Sequence, residues 1–424
     1  GQFNLGFRTP SSIFYLNSLF YLPIVKYFMF QMSAILIMGF SNLILLIKLK
    51  KNIDEHKINF ITYFTLLVFI FINIFFYRIA EHATDKSAQI LVFILFIEIF
   101  FLTNFKINEK NQISRIYILI GLIISLKAFY VIYGVFFLAV LIYLLKIFNI
   151  KETLKTLIFN YYFIFFTILF LVILLTNFTN SGCLIYPVNL TCFDNIIWSI
   201  KSSEVAILND WYEQWAKAGA GPNYRVENPD HYIQYFNWVS NWIDLYFFNK
   251  VSDFLFGILL ILIIIYFSFR SKLKKKIYKK KITLVIILFF ILLFEWFYNH
   301  PALRYGGYCL IASILFIFMS IFLENFSISI ENIKKRIIFF VSLALLIFIS
   351  RNINRISYEH KTYNYEPIRK VYYKIEPNYF EVQNEFNDLI DNYNNCQLNE
   401  NSCENESNYQ VKKIRGKYIF YINE

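Results

Sequence analysis

The sequence predicts an all-α polytopic membrane protein of about ten transmembrane helices, with a long external loop and a small α+β external tail. Three observations carry this. Apolar runs recur along the whole chain, near the ~20 residues that cross a hydrocarbon layer. Strongly basic short loops all fall on one side when ten spans are counted, which makes that side cytoplasmic by the positive-inside rule. Two cysteine pairs, Cys183 with Cys192 and Cys396 with Cys403, fall on the opposite side, where disulfides persist.

The elements follow in order. Thr9-Pro10 reads as an N-cap with proline at the first helical position, opening an apolar segment, 11–22, that is too short to span and ends at Pro23. Spans are expected at 27–47, 58–77, 88–104, 114–126, 128–146, 157–176, 252–269, 282–298, 304–323 and 337–350. The membrane domain is then 1–350, interrupted by an external loop at 177–250, and 351–424 is a small non-cytoplasmic domain. In the loop, Tyr232, Tyr235, Phe236, Trp238, Val239, Trp242, Leu245 and Tyr246 recur at helical spacing after Trp198, Trp211 and Trp215. Such a stretch suits an interfacial helix with an aromatic belt, or a lid over a site at membrane depth. The tail is expected to hold a helix near 380–394, a Cys396–Cys403 clasp, and a hairpin of 409–414 and 417–422 turning at Gly416.

Composition supports this class. Of 424 residues, 58% are hydrophobic and 17% charged, against about 25% charged in soluble domains. The net charge of +12 does not point to nucleic acid, because its densest cluster, from Arg270 to Lys281, sits between two apolar runs. The 50 Phe and 32 Tyr accompany abundant Ile, Asn and Lys, which fits an AT-rich coding bias better than aromatic recognition. Cys309, alone inside a span, reads as a small buried hydrophobe. No P-loop, dinucleotide fingerprint, HExxH or GxSxG is present, and the five His lack metal-ligand spacing. No cofactor and no protein-built metal site are expected, with a divalent cation left open.

What remains is a set of ionisable residues at the non-cytoplasmic ends of spans, where burial is costly and function is the default explanation. They are Arg78, Glu81, His82, Asp85 and Lys86 in one turn, Lys127 in a second, and Glu295, His300 and Arg304 in FEWFYNHPALRYGGY. Each could instead be a snorkelling or water-exposed charge.

GFRTPSSIFYLNSLFY, ATDKSAQILVF, GLIISLKAFYVIYG, SGCLIYP and HPALRYG follow one another at spacings that resemble multi-spanning glycosyltransferases of the GT-C type, in a poorly characterised bacterial branch related to mannosyl- and arabinosyl-transferring members. The resemblance covers residues 1–310. It implies transfer of a hexose or pentose from a polyprenyl-phosphate donor to a glycan or lipid acceptor of the cell envelope. The place would be the non-cytoplasmic face of a bacterial inner membrane, with the loop and the tail periplasmic. It implies a catalytic Asp85 and substrate-binding Lys127, Arg304 and Tyr305, and His300 joins the substrate-binding set from its place in the same turn as Arg304. Because Asp85 begins a span, Asp85→Asn in the full-length protein is expected to cut transfer severely while leaving abundance unchanged. The resemblance also implies that the family's principal acid lies upstream of GFRTPSS, so that this chain is an N-terminally truncated piece. Membrane lipids are the other expected partners. A surface-polysaccharide polymerase or ligase, a transporter and a non-enzymatic membrane protein are the competing readings. The transporter is disfavoured by the lack of internal repeats and broken helices.

Overall fold

The computed structural model describes residues 11–20, 32–78, 84–104, 109–196, 198–221, 226, 228–273, 282–363, 409–414 and 417–422. In chain order the helices begin with α1 (Ser12–Ser18), α2 (Met32–Asp54), α3 (Phe60–Phe75), α4 (Thr84–Asn104) and α5 (Glu109–Leu126). A 3-10 turn (Ala128–Val135) leads into α6 (Phe136–Leu145), followed by α7 (Ile150–Ile158) and α8 (Tyr161–Ser181). The long segment after α8 contributes α9 (Ser202–Lys217) and α10 (Pro229–Ile233). Then α11 (Val239–Trp242), a π-helical stretch (Ile243–Val251) and α12 (Ser252–Phe269) run on as one rod. The membrane part closes with α13 (Thr283–Asn299), α14 (Gly307–Glu324) and α15 (Ile330–Tyr363).

Six helices among the described residues are long and apolar enough to cross a membrane: α2, α4, α8, Val239–Phe269, α14 and Ile330–Thr362 of α15. Shorter apolar helices stand at Phe60–Phe75, Asn111–Leu126, Phe129–Leu145 and Thr283–Asn299. The rod from Val239 differs from the sequence expectation of a span starting at 252. Asn241, Asp244, Asn249, Lys250 and Asp253 lower the hydropathy there, but no proline or glycine interrupts the helix before Gly257. At the first segment, the helix is capped by Ser11 in extended conformation, while Thr9 and Pro10 lie outside the described residues.

The centre of the bundle is α3 and α4. Every residue from Phe60 to Asn73 is buried, and α4 is enclosed almost all round, whereas α8 and α15 present most of their surface outward. Between helices in lipid, packing rather than a hydrophobic driving force holds the contact. Here the phenylalanines supply it: Phe64 meets Phe100 edge-on at 5.1 Å, Phe71 meets Phe93 at 5.3 Å, and Phe96 meets Phe289 at 4.4 Å. Such pairs contribute about 0.5–1.5 kcal/mol each beyond burial. An amide pair, Asn42 with Asn73 at 3.1 Å, links α2 to α3.

Helix direction sorts the loops into two ends. Ser327 donates from its backbone to the carbonyl of Lys272 at 2.8 Å, and Ser271 Oγ donates to Ser327, so the end of α12 and the α14–α15 connection share one end. The turns after α3, α5 and α13 lie at the other.

Contacts divide the chain into Gly1–Arg355 and Ile356–Glu424. In the second unit, β1 (Tyr409–Ile414) pairs antiparallel with β2 (Lys417–Ile422), Tyr409 opposite Ile422 and Ile414 opposite Lys417. The expected helix at 380–394, the turn at Gly416, and Cys396 and Cys403 lie outside the described residues.

Candidate functional site

Three motifs far apart in sequence meet at the end of the bundle away from the basic loops. Asp85 stands in the first turn of α4, where a carboxylate suits the positive end of the helix dipole. α5 stops at Leu126, whose carbonyl accepts a 2.5 Å hydrogen bond from Ser11 Oγ, and Lys127 then leaves the helix in extended conformation. Beyond α13, residues His300 to Gly306 form a tight turn held from several sides. Trp242 Nε1 donates to the carbonyl of Pro301 at 2.9 Å, Trp296 Nε1 to that of Ala302 at 2.9 Å, and Gln89 Nε2 to that of Arg304 at 3.0 Å. The backbone N–H of Leu303 donates to Tyr246 Oη at 2.9 Å. Gly306 has φ +101°, a conformation that favours glycine, and a Cβ there would come within 2.6 Å of Tyr133 Oη.

That turn delivers Arg304 to Asp85. Its Nε and Nη2 both lie 2.9 Å from Asp85 Oδ2, while Lys127 Nζ donates to Oδ1. Both carboxylate oxygens are therefore engaged by cations. Aromatic faces line the pair: Lys127 Nζ is 4.5 Å from the centre of the Tyr305 ring, and the Arg304 guanidinium is 5.7 Å from Trp215 and 5.6 Å from Tyr305. His300 packs edge-on against Phe129 and Tyr305, each at 5.7 Å. Burial, aided by the charges of Lys217 and Lys127, pushes the His300 imidazole down to about 4, so it is neutral at pH 7. Its Nδ1 is buried and has no hydrogen-bond partner among the described residues.

Asp85, Lys127, His300, Arg304 and Tyr305, each singled out in the sequence, thus come together. Glu295 faces inward with Oε1 accepting from Asn299 at 3.1 Å, and Oε2 is buried with no partner among the described residues. Lys86 is directed elsewhere, donating to the carbonyl of Arg78 at 2.6 Å, and Glu81 and His82 lie outside the described residues. Gln89 was not legible as a site residue: fully buried, it also accepts from the Cys309 N–H at 3.1 Å and so ties α4 to α14 beneath the ion cluster. Trp215 in α9 brings the long segment after α8 over Arg304. Cys183 and Cys192 are joined as a disulfide at the start of that segment, and Cys309 is a buried free thiol. Among the described residues, no three His, Cys, Asp or Glu gather as a metal-binding group.

A second polar centre occupies the opposite end. Glu98, inside the apolar run FILFIEIFFL of α4, is bonded to Lys48 at 2.7 Å and to Arg115 Nε at 2.9 Å. Thirteen residues separate it from Asp85, about 20 Å along the axis at ~1.5 Å per residue.

The family described as "Domain of unknown function (DUF8201)" matches residues 2–311. The chain belongs to that family. No curated protein and no solved structure matches it. The DUF8201 region takes in α1 to the first turn of α14, and with them every residue of the Asp85 cluster and of the Glu98 centre.

Proposed function

We propose that this chain is a GT-C-like glycosyltransferase that moves a sugar from a polyprenyl-phosphate donor to a cell-envelope acceptor. The proposed topology has ten spans and places the Asp85 cluster and the external segment at the non-cytoplasmic face of a bacterial inner membrane. The observation that carries the reading is the meeting of Lys127 and Arg304 on one carboxylate, at the end of the bundle beneath Trp215.

In such a transfer the acceptor oxygen bonds the sugar's anomeric carbon as the bond from that carbon to the phosphate oxygen breaks, and the hydroxyl proton passes to the departing phosphate. The leaving phosphate accumulates negative charge. Arg and Lys suit that charge, and a guanidinium offers a planar fork of donors that matches phosphate oxygens. Arg304 uses Nε and Nη2 on Asp85 and is more than half exposed, so Nη1 and the open side of the guanidinium are available to a headgroup. Asp85, with both oxygens engaged, acts in this reading as a positioning residue that holds the two cations at a fixed separation, rather than as a proton acceptor. Tyr305 and Trp215 form the apolar walls against which a sugar or the first isoprene unit can pack, and His300 adds a neutral imidazole.

The test is transfer itself. Membranes containing the protein are given polyprenyl-phosphate sugars labelled in the sugar, and label is followed into the lipid and glycan fractions. Label should move with the parent protein and fall at least tenfold with Arg304→Gln. Transfer that is the same with and without the protein contradicts the proposal.

A further inference from the structure

A cavity of about 750 Å³ runs beside α1, α2, α4 and α5, within the ~300–1,000 Å³ of ligand-binding cavities. Its walls are apolar along almost their whole length, from Leu16 and Leu36 through Phe40, Ile44 and Leu119. Several of these side chains are exposed, Phe40 and Ile47 by more than half, so the cavity opens sideways toward the surroundings of the bundle. Its ionisable residues are all at one end: Lys48, Lys51, Arg115 and Glu98.

The donors there exceed what Glu98 takes up. Glu98 is buried and takes Lys48 on Oε1 and Arg115 on Oε2. Arg115 spends Nε on that bond, its side chain is half exposed, and its two terminal nitrogens have no partner among the described residues. Lys51 stands one helical turn beyond Lys48, on the same cavity wall, 3.7 Å from Glu55. Lys48 and Arg115 thus share Glu98, Lys51 pairs with Glu55, and the terminal nitrogens of Arg115 are left as donors at the polar end of the lining. A guanidinium with two donors left, at the mouth of an apolar cleft, suits an anion that carries apolar matter with it.

We infer that this cavity is a binding site for an anionic glycerophospholipid, its phosphate on Arg115 and Lys51 and its acyl chains along α2 and α5. The site is separate from the Asp85 cluster, about 20 Å away along α4, and the inference holds whether or not the chain transfers sugars. The lipid packs against the exposed apolar side chains of α2, which ties folding stability to the anionic lipid content of the membrane.

The full chain, purified in mild detergent, is titrated with phosphatidylglycerol and with phosphatidylcholine and bound lipid is counted by native mass spectrometry. Phosphatidylglycerol should bind at least tenfold more tightly than phosphatidylcholine. Lys51→Gln with Arg115→Gln, which leaves the Lys48–Glu98 pair intact, should erase the preference. Ile44→Trp, which fills the cavity from an exposed position, should remove both lipids while the protein stays folded by circular dichroism. Equal binding of the two lipids overturns the inference, as does an undiminished preference in the charge variants. Ile44→Trp with unchanged lipid binding also overturns it. A polyprenyl phosphate that displaces the phospholipid and itself depends on Arg304 would overturn it in favour of a carrier groove.

Discussion

Replacing Asp85 tests the ion cluster directly, because its two partners differ in their environment. The Asp85 side chain is 13% exposed, Lys127 20% and Arg304 55%. Two unit charges ~4 Å apart interact by about 4 kcal/mol at an effective dielectric of ~20. Removing one partner of a buried pair costs about 3–5 kcal/mol, since the other charge is left uncompensated. For Arg304 the open side of the guanidinium is screened, and about 1 kcal/mol is the appropriate magnitude. Asp85→Asn therefore leaves Lys127 and Arg304 repelling each other with no carboxylate between them, and should lower stability by about 3 kcal/mol. Lys127→Met in the parent is milder, because Asp85 keeps Arg304. The double variant, Asp85→Asn with Lys127→Met, should be more stable than Asp85→Asn alone. Double-mutant cycles from thermal unfolding in one detergent should give a coupling of about 2–4 kcal/mol for Asp85 with Lys127 and about 1 kcal/mol for Asp85 with Arg304. Additive losses at Asp85 and Lys127, or a larger coupling to Arg304, would refute the reasoning. The sequence alone led to a different expectation, that Asp85→Asn leaves abundance unchanged. That expectation rested on its place at the start of a span, facing a cavity; the two ion pairs argue for a loss of stability instead, and the unfolding measurement decides between them.

Other consequences concern the same end of the bundle. A Cβ on Gly307 would lie 2.4 Å from the Trp296 ring, which is itself pinned to the Ala302 carbonyl, so Gly307→Ala should cost about 1–3 kcal/mol of stability, whereas Gly39→Ala, with open space around it, should not. His300 has a pKa of about 4 in the fold against about 6.5 unfolded, so the unfolded state binds its proton first and stability falls as pH drops from 6.5 toward 4. The loss attributable to His300 between pH 7 and pH 5 is about 2 kcal/mol, and the parent should lose that much more than His300→Gln over the same interval. Cys183 and Cys192 should react with a thiol reagent only after reduction. Opening that nine-residue separation should lower stability by about 2–3 kcal/mol, and labelling without reductant would contradict the bond. A reporter fused after Lys276 and another after Asn408 should report opposite compartments. Agreement between them would mean that the proposed count of spans is wrong by an odd number.

Much of this arrangement was legible in the sequence, and the parts that were not share a physical cause. Apolar runs and basic loops locate helices because span length and loop charge are local properties, written in consecutive residues. The candidate residues Asp85, Lys127, His300, Arg304 and Tyr305 could be found for the same reason, as polar residues at the ends of apolar runs on one face. That Asp85 holds both cations is a matter of packing between α4, the turn after α5 and the turn after α13, which no single run encodes. Gln89 was hidden for that reason, being an ordinary polar residue until α14 docks on it. Glu98 was different: a carboxylate within FILFIEIFFL is a visible anomaly, and its explanation lies in Lys48 and Arg115 on two other helices. The start of the rod at Val239 was missed because hydropathy reports where a helix leaves lipid, not where it ends. The polar residues from Asn241 to Asp253 mark the first, while the backbone remains helical through them.

The central claim is that Lys127 and Arg304 present a phosphate-binding site, and the most direct measurement is the affinity of the full chain in lipid nanodiscs for a polyprenyl phosphate. The parent should bind it, and Arg304→Lys should weaken binding by roughly tenfold or more, the loss of a charged hydrogen bond worth about 1.5–3 kcal/mol that a point charge cannot replace. Arg270→Lys, at the opposite end of α12, should bind as the parent does. Equal affinity in all three proteins would contradict the account.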